Sequence, residues 1–190
     1  TLVYTLSLHD ALPIFRSAPF SPEVPKAGVR LAVCYGLTNQ FLRARTVADY
    51  MHSLFPDVPP ISDTFLKIGS LLYKRSGELA GRDTERAEQL KDSAMDIWER
   101  FVVMDENAPQ AQDIAFMIAE HYYGKAVETA KRSANTSDRE QKKALKQEAM
   151  QQYRDAIPKY QRLIDNYGSL PRGIRALYKL GWIHYTLENA

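Results

Sequence analysis

Small residues and prolines recur at the same spacing in three segments, and this regularity constrains the fold more than any other feature. Each segment begins with an alanine and reaches a proline fifteen residues later, and a second small residue follows ten positions after that proline. Proline fills about one position in twenty of an average protein, so three coincident prolines indicate an internal repeat. The alanines are Ala44, Ala94 and Ala156, the prolines Pro59, Pro109 and Pro171, and the second small residues Gly69, Ala119 and Gly181.

The repeat period varies, and the variation falls at one place in each unit. This place lies between the second small residue of one segment and the alanine that begins the next. Ala44 and Ala94 are 50 residues apart, Ala94 and Ala156 are 62 apart, and the step from alanine to proline stays constant. Insertions in stacked units collect at one edge of the array, where extra chain disturbs no neighbour. We therefore predict a repeat domain over residues 22–190. Its units cover about 25–60, 61–109 and 110–171, with an incomplete fourth over 172–190.

The sequence pattern of each unit predicts two helices. Between Leu145 and Ile164 apolar residues step by three or four, which is the pattern of one buried helical stripe. Ser137 followed by Glu140 predicts a capping box at the start of this helix. Pro158 lies inside the stripe and predicts a kink or a break. No segment alternates β-branched and polar residues over a strand length, so the predicted fold class is all-α.

The recurring small residues explain how two paired helices approach each other. A side chain larger than a methyl group at the crossing point holds the two axes apart. We therefore expect Ala44, Ala94 and Ala156 to be buried where the helices of a pair cross. Leucine at Ala94 or Ala156 is expected to overpack the crossing and destabilise the fold by roughly 1 to 3 kcal/mol.

The pattern resembles the tetratricopeptide repeat family, which has Leu-Gly and Tyr in its first helix, Ala and an aromatic residue in its second, and Pro after it. The resemblance implies an antiparallel helix-pair solenoid, a superhelix whose helices are elongated here by insertions. The insertions and the later proline resemble bacterial cell-envelope members such as outer-membrane assembly lipoproteins and the Tol-Pal-associated type, which implies a periplasmic or envelope location. The matching residues include Leu31, Ala32, Tyr35, Ala44 and Pro56; Gly69, Tyr73, Ala94, Trp98 and Phe101; Ala119, Tyr122, Ala156, Tyr160 and Leu163; and Ala176, Leu180, Gly181 and Tyr185.

The resemblance also implies a ligand groove on the concave face of the solenoid. In the family, residues three before, one after and four after the small residue of the first helix point there. Six of the nine are aromatic, a lining suited to a peptide or a partner helix. The alternative is that they pack against the helices of the next repeat. The nine are Leu66, Ser70, Tyr73, Phe116, Glu120, Tyr123, Tyr178, Trp182 and Tyr185.

No motif in the sequence predicts catalysis, a cofactor or a metal site. His52, His121 and His184 each lack a second histidine at metal-ligand spacing. Cys34 lies in an apolar helical stretch and is predicted to be a buried, unreactive thiol. The net charge is only +2, and no apolar run is long enough to cross a bilayer. These features favour neither nucleic acid nor a membrane as the partner.

One segment is nonetheless basic. Residues 125–162 contain ten Lys and Arg against five Asp and Glu. We interpret this charge as the solvated face of two long helices, and the alternative is a docking site for acidic protein or RNA.

The first residues of the chain have a separate origin. Residues 4–14, YTLSLHDALPI, resemble a translation of the universal adapter oligonucleotide of short-read sequencing libraries. Residues 1–15 are therefore interpreted as a non-native segment, disordered or irregular, and excluded from fold reasoning. Because the fourth unit stops before its second helix can form, we expect the chain to be an internal fragment.

Together these features predict a non-catalytic protein–protein interaction scaffold. Two alternatives remain open. One is a recruiting or regulatory module of a larger enzyme whose catalytic domain lies elsewhere, and the other is an RNA-binding helical repeat.

Overall fold

The computed structural model describes residues 21, 23–56 and 59–189, and every regular element within these ranges is an α-helix. This confirms the all-α prediction for the described residues. The adapter-like segment, residues 1–15, lies outside them. The helices are α1 (Glu23–Leu37), α2 (Phe41–Leu54), α3 (Pro59–Leu79), α4 (Thr84–Met104), α5 (Ala111–Asn135), α6 (Arg139–Tyr167) and α7 (Pro171–Glu188).

The chain divides into two compact units between Asp105 and Glu106. In the first unit α1 packs on α2, α3 packs along α4, and α3 also contacts α1 and α2. In the second unit α5 packs along α6, while α7 packs on α6 and touches α5. Each unit therefore contains at least one long antiparallel helix pair, whose two members follow each other directly in the sequence.

The recurring alanines are buried between helices, as predicted. Ala44, Ala94 and Ala156 have no exposed surface. Gly69 of α3 lies under the indole ring of Trp98 from α4, and a methyl group added at position 69 would collide with that ring. The absence of a side chain at position 69 thus allows α3 and α4 to approach closely.

Large apolar side chains fill the space between the helices of each unit. Phe65, Phe101 and Met51 are fully buried in the first unit, and Tyr160 and Leu163 are fully buried in the second. Burial of one such side chain stabilises a fold by about 1.5 to 3 kcal/mol. The two cores therefore supply the main stabilisation of the helices that carry the candidate site.

The predicted start of α6 is wrong. Its N-cap is Asp138 rather than Ser137, because the Asp138 carboxylate accepts a hydrogen bond from the backbone N–H of Gln141 at 2.8 Å. Of the kink or break predicted at Pro158, the break does not occur, because α6 continues to Tyr167. Pro158 lies on the exposed side of α6, where water can reach the backbone carbonyl that loses its partner.

The prolines between helices lie where their chemistry is tolerated. Pro59 and Pro171 are the first residues of α3 and α7, where the missing N–H has no helical partner to lose. Pro109 lies in the turn between α4 and α5.

Cys34, predicted to be buried, is half-buried, because the buried stripe of α1 passes through Leu31 and leaves Cys34 at its edge.

A helix must be both long and apolar to cross a bilayer, and seven helices lie in the described ranges. None of them combines the length and the hydropathy that a membrane span requires.

Candidate functional site

The nine residues predicted to line a groove are divided between the two units. Three of them lie on α3 in the first unit, and six lie on α5 and α7 in the second. The structure therefore presents two separate sets, and each is described within its own unit.

On α3 two of the candidate residues, Leu66 and Tyr73, contact Trp98 of α4. The backbone carbonyl of Leu66 accepts hydrogen bonds from the Trp98 indole N–H at 3.2 Å and from the Ser70 hydroxyl at 2.8 Å. Tyr73 stacks on Trp98 with ring centroids 5.3 Å apart, and 38% of Tyr73 remains exposed. Within this set, Tyr73 is the residue that offers an aromatic surface to a ligand.

Glu120 on α5 forms the polar centre of the second set. One carboxylate oxygen accepts a hydrogen bond from the Tyr160 hydroxyl of α6 at 2.5 Å, and the other lies 3.5 Å from the Lys179 ammonium of α7. Burial raises the pKa of Tyr160 well above its usual range, and the hydrogen bond to Glu120 raises it further. Glu120 therefore links α5, α6 and α7, with both of its oxygens engaged.

Basic side chains of α7 cover the aromatic rings of α5. The Lys179 ammonium lies 4.1 Å from the centre of the Tyr123 ring, and the Arg172 guanidinium lies 5.1 Å from that of Phe116. Arg172 also pairs with Asp113 at 2.6 Å. Contacts between a cation and an aromatic ring contribute about 0.5 to 1 kcal/mol when partly exposed. Phe116 and Tyr123 thus contact the following helix, as in the packing alternative, while both remain half-buried rather than fully covered.

The three candidate residues of α7 are open to solvent. Tyr178 is 73% exposed, Trp182 48% and Tyr185 59%. The Trp182 and Tyr185 rings are stacked with centroids 5.8 Å apart. An uncharged, mostly apolar stripe of this kind is typical of an interaction surface. With three neighbours on the same side of the helix, they form the α7 outer face: Ile174, Leu177, Tyr178, Gly181, Trp182 and Tyr185.

An aromatic cluster of α5 and α6 lies near the α7 outer face. The ring of Tyr123 lies 5.9 Å from that of Tyr153 and 6.4 Å from that of Tyr160. Burial raises the pKa of Tyr123, and the nearby Glu120 and Tyr178 add to this rise. Tyr178 of the open face therefore lies near Tyr123, which is half-buried, whereas Tyr153 and Tyr160 are buried.

Sequence reasoning missed the basic stripe of α7. Arg172, Arg175 and Lys179 are spaced i, i+3 and i+7, which places them on one side of a helix. Arg175 also lies over Phe116, with its guanidinium 5.8 Å from the ring centre. The spacing is visible in the sequence, and only the partner rings on α5 required the structure.

The first unit contains an open cleft of about 460 Å³ lined by residues of α2 and α4. Arg100 pairs with Asp49 at 2.8 Å, and Arg45 approaches the same carboxylate at 3.6 Å. His52 in the lining meets the ring of Phe65 edge-on at 6.4 Å. The Asp49 carboxylate thus joins the two arginines that line the cleft.

The basic segment lies on α5, α6 and the turn between them. The ammonium of Lys159 lies 4.9 Å from the ring centre of Tyr122, so this charge contributes to packing. Seven of the ten cations are exposed: Lys131, Arg132, Arg139, Lys142, Lys143, Lys146 and Arg154.

Within the described ranges, no three His, Cys, Asp or Glu side chains are grouped so that they could hold a metal ion. No protein-family model matches the chain, and no curated protein sequence is significantly similar to it. The tetratricopeptide assignment therefore stays a prediction.

Proposed function

We propose that the chain is a non-catalytic protein-interaction scaffold of the tetratricopeptide type, which binds a peptide or a partner helix through its exposed aromatic side chains. The observation that carries the proposal is the α7 outer face. This face presents Tyr178, Trp182 and Tyr185 to solvent without a charged residue among them. Tyrosine and tryptophan dominate the binding energy of protein interfaces when a partner buries them.

The polar groups next to this face support a binding role rather than a chemical one. The Glu120 carboxylate is engaged by Tyr160 and Lys179, and Arg172 is paired with Asp113. Groups held in such pairs position helices, and they are poorly placed to accept or donate a proton during a reaction. The same pairs hold α7 against α5, so the aromatic face is presented on a supported helix.

A selection with a phage-displayed library of helical peptides tests the proposal. We expect the full chain to enrich a family of amphipathic peptides. Two double variants then locate the binding surface, Tyr73→Ala with Phe116→Ala and Tyr178→Ala with Trp182→Ala. At least one of them is expected to weaken the enriched peptides tenfold or more, since interface hot spots contribute at least about 2 kcal/mol each.

The matched control is Leu42→Ala, which removes another exposed apolar side chain, 80% open to solvent on α2. This variant is expected to bind the selected peptides as the wild type does. Circular dichroism must show unchanged helicity in every variant. The proposal fails if no peptide is enriched, or if both double variants bind like the wild type.

A further inference from the structure

The hairpin formed by α5 and α6 carries a concentration of positive charge at its tip. Residues 131–146 contain six Lys and Arg against two Asp and Glu, a net charge of +4, whereas the whole chain carries only +2. All six cations are exposed. The positive excess of the chain therefore lies in this tip, and the remainder has a small negative balance.

The tip extends past the end of α7. Arg172 of α7 pairs with Asp113 of α5, and seven residues further along both helices Lys179 pairs with Glu120. The two helices therefore run side by side in the same direction. Glu188, the last residue of α7, is then level with about residue 129 of α5, because both helices rise equally per residue. Consequently α7 does not reach the tip.

The carboxylates of this segment do not neutralise its cations. Glu148 accepts a hydrogen bond from the side chain of Gln152 at 3.1 Å, and Asp155 accepts one from Gln151 at 3.0 Å. Asp138 is engaged as the N-cap of α6. Across the described residues, several cations of the segment have no carboxylate within 4.0 Å, namely Lys131, Arg132, Arg139, Lys142, Lys143 and Arg154. Their charge is exposed, as the sequence predicted, but it is not compensated within the chain.

Five cations form a basic row along one side of α6. At 3.6 residues per turn, their positions fall within about 120° of the helix circumference. The nearby Glu140, Glu148 and Asp155 lie outside this arc, roughly 100° to 180° from Arg139. Neighbours in the row are three or four residues apart, a spacing at which like charges repel and destabilise a helix. The basic row comprises Arg139, Lys142, Lys143, Lys146 and Arg154.

Contacts between α5 and α6 support the tip. The Ser133 hydroxyl of α5 donates a hydrogen bond to the backbone carbonyl of Lys142 at 2.9 Å. Ser133 itself is buried, and so is Leu145, the first buried residue of α6. The basic row is therefore presented on a helix that packs firmly against its neighbour.

The chemistry of the tip favours an acidic protein segment over other anions. Residues 130–152 contain no aromatic residue on which a nucleic-acid base could stack. No large apolar side chain of this range is exposed to anchor it in a membrane. The negative balance outside the tip also opposes binding to an extended polyanion. By contrast, carboxylates along one side of a helix repeat about every 5.4 Å, which is the pitch of the basic row.

We propose that the basic row binds an acidic helix of a partner protein, which carries carboxylates at successive turns along one side. This helix lies alongside α6, and its carboxylates compensate the cations that the chain leaves unpaired. The basic row is separate from the α7 outer face. The inference therefore goes beyond the proposed function, and each of the two can fail without the other.

A labelled helical peptide is the probe. It consists of alanine, glutamine and glutamate, with the glutamates spaced i, i+3 and i+7 along one side. A control peptide has the same composition, with the glutamates distributed around the helix. Fluorescence anisotropy measures binding of each to the full chain. We expect the one-sided peptide to bind more tightly than the control peptide, and its affinity to fall as salt is added.

Two double variants of the full chain form a matched pair. Lys142→Gln with Lys143→Gln removes two charges from the basic row, and Lys67→Gln with Lys74→Gln removes two exposed charges from α3. The first is expected to weaken the one-sided peptide roughly fivefold or more. The second is expected to leave its affinity unchanged. Urea unfolding is expected to show the first variant at least as stable as the wild type, since it relieves repulsion within α6.

Three results would overturn the inference. Equal weakening by the two double variants would show that net charge rather than the basic row attracts the peptide. No binding of the one-sided peptide at low salt would remove this ligand class. Tighter binding of duplex RNA or of phosphatidylserine vesicles, lost in the Lys142→Gln with Lys143→Gln variant, would assign the row to a phosphate-bearing partner.

The variant Tyr178→Ala with Trp182→Ala separates this site from the α7 outer face. It is expected to bind the one-sided peptide as the wild type does. Conversely, Lys142→Gln with Lys143→Gln is expected to bind the library-selected peptides unchanged. Loss of the one-sided peptide in the aromatic variant would place its binding on α7 and contradict the inference.

Discussion

The indole ring of Trp98 lies directly over Gly69, so close that position 69 has no room for a methyl group. The ring is buried, and its N–H donates a hydrogen bond to the backbone carbonyl of Leu66 at 3.2 Å. Tyr73 packs against the indole ring, with the two ring centroids 5.3 Å apart. Because these contacts hold the ring on several sides, it cannot move aside without losing them.

Gly69→Ala is therefore expected to lower the free energy of unfolding by about 1 to 3 kcal/mol through overpacking. Alanine has a better helix propensity than glycine by about 1 kcal/mol, and this gain offsets part of the loss. The control is Gly77→Ala in the same helix, where the added methyl group meets nothing within 4 Å in the described structure. We expect this control to be neutral or stabilised by up to about 1 kcal/mol. Urea unfolding followed by circular dichroism measures both, and a stabilised Gly69→Ala variant would contradict the account.

The buried alanine of α6 is expected to respond in the same way. Ala156→Leu places three additional carbons in a position with no exposed surface, and we expect a loss of about 1 to 3 kcal/mol in the free energy of unfolding. Ala144→Leu in the same helix is the control, because Ala144 is exposed. Substitutions at such positions change stability by less than about 0.5 kcal/mol. Equal stability of the two variants would show that Ala156 does not limit the approach of α5 and α6.

The buried Tyr160 predicts a loss of stability in alkaline solution. Its pKa is raised in the folded protein, whereas a tyrosine of the unfolded chain titrates near pH 10. As the pH rises, the unfolded state therefore loses this proton first. The stabilisation that Tyr160 gives through its raised pKa is fully present below about pH 10. Above that pH it is lost at up to about 1.4 kcal/mol per pH unit.

Tyr160→Phe removes this titration while retaining the ring. Urea unfolding on both sides of pH 10 is expected to give a shallower decline for the variant than for the wild type. The lysines and the other tyrosines contribute equally to both proteins, so the comparison isolates Tyr160. Identical slopes would contradict the raised pKa.

The two tryptophans are expected to differ in their access to solvent. Trp98 is 3% exposed and Trp182 is 48% exposed. Acrylamide is expected to quench the fluorescence of Trp182 several-fold more strongly than that of Trp98. The variants Trp98→Phe and Trp182→Phe each leave one tryptophan and separate the two signals. Comparable quenching of both would show that something covers the α7 outer face in solution.

Local patterns in the sequence predicted the helical class and the burial of the small residues. A period of three or four residues distinguishes a helix from a strand, and an alanine that recurs in one phase, such as Ala94, indicates a tight crossing. The helix start was less predictable. Ser137 and Asp138 are adjacent and both can cap a helix, so the choice between them depends on how the chain enters α6.

From the sequence, the candidate site could be predicted only as separate helix faces, without their tertiary contacts. The sequence indicated which side of each helix carries aromatic residues, but not which neighbouring helix covers it. Phe116 and Tyr178 occupy equivalent repeat positions, yet Arg172 and Arg175 lie over Phe116 while Tyr178 is open. This difference arises from tertiary contacts between α5 and α7, which the periodicity of either helix alone does not contain.

Hydrogen exchange of the full chain, with and without a library-selected peptide, tests the binding role most directly. Exchange reports local opening, so a bound ligand slows it where the ligand packs. We expect slower exchange in residues 174–187, which include the α7 outer face, and unchanged exchange in the exposed basic end of α5 and α6. Protection confined to that basic end, or no change anywhere on α7, would contradict the account.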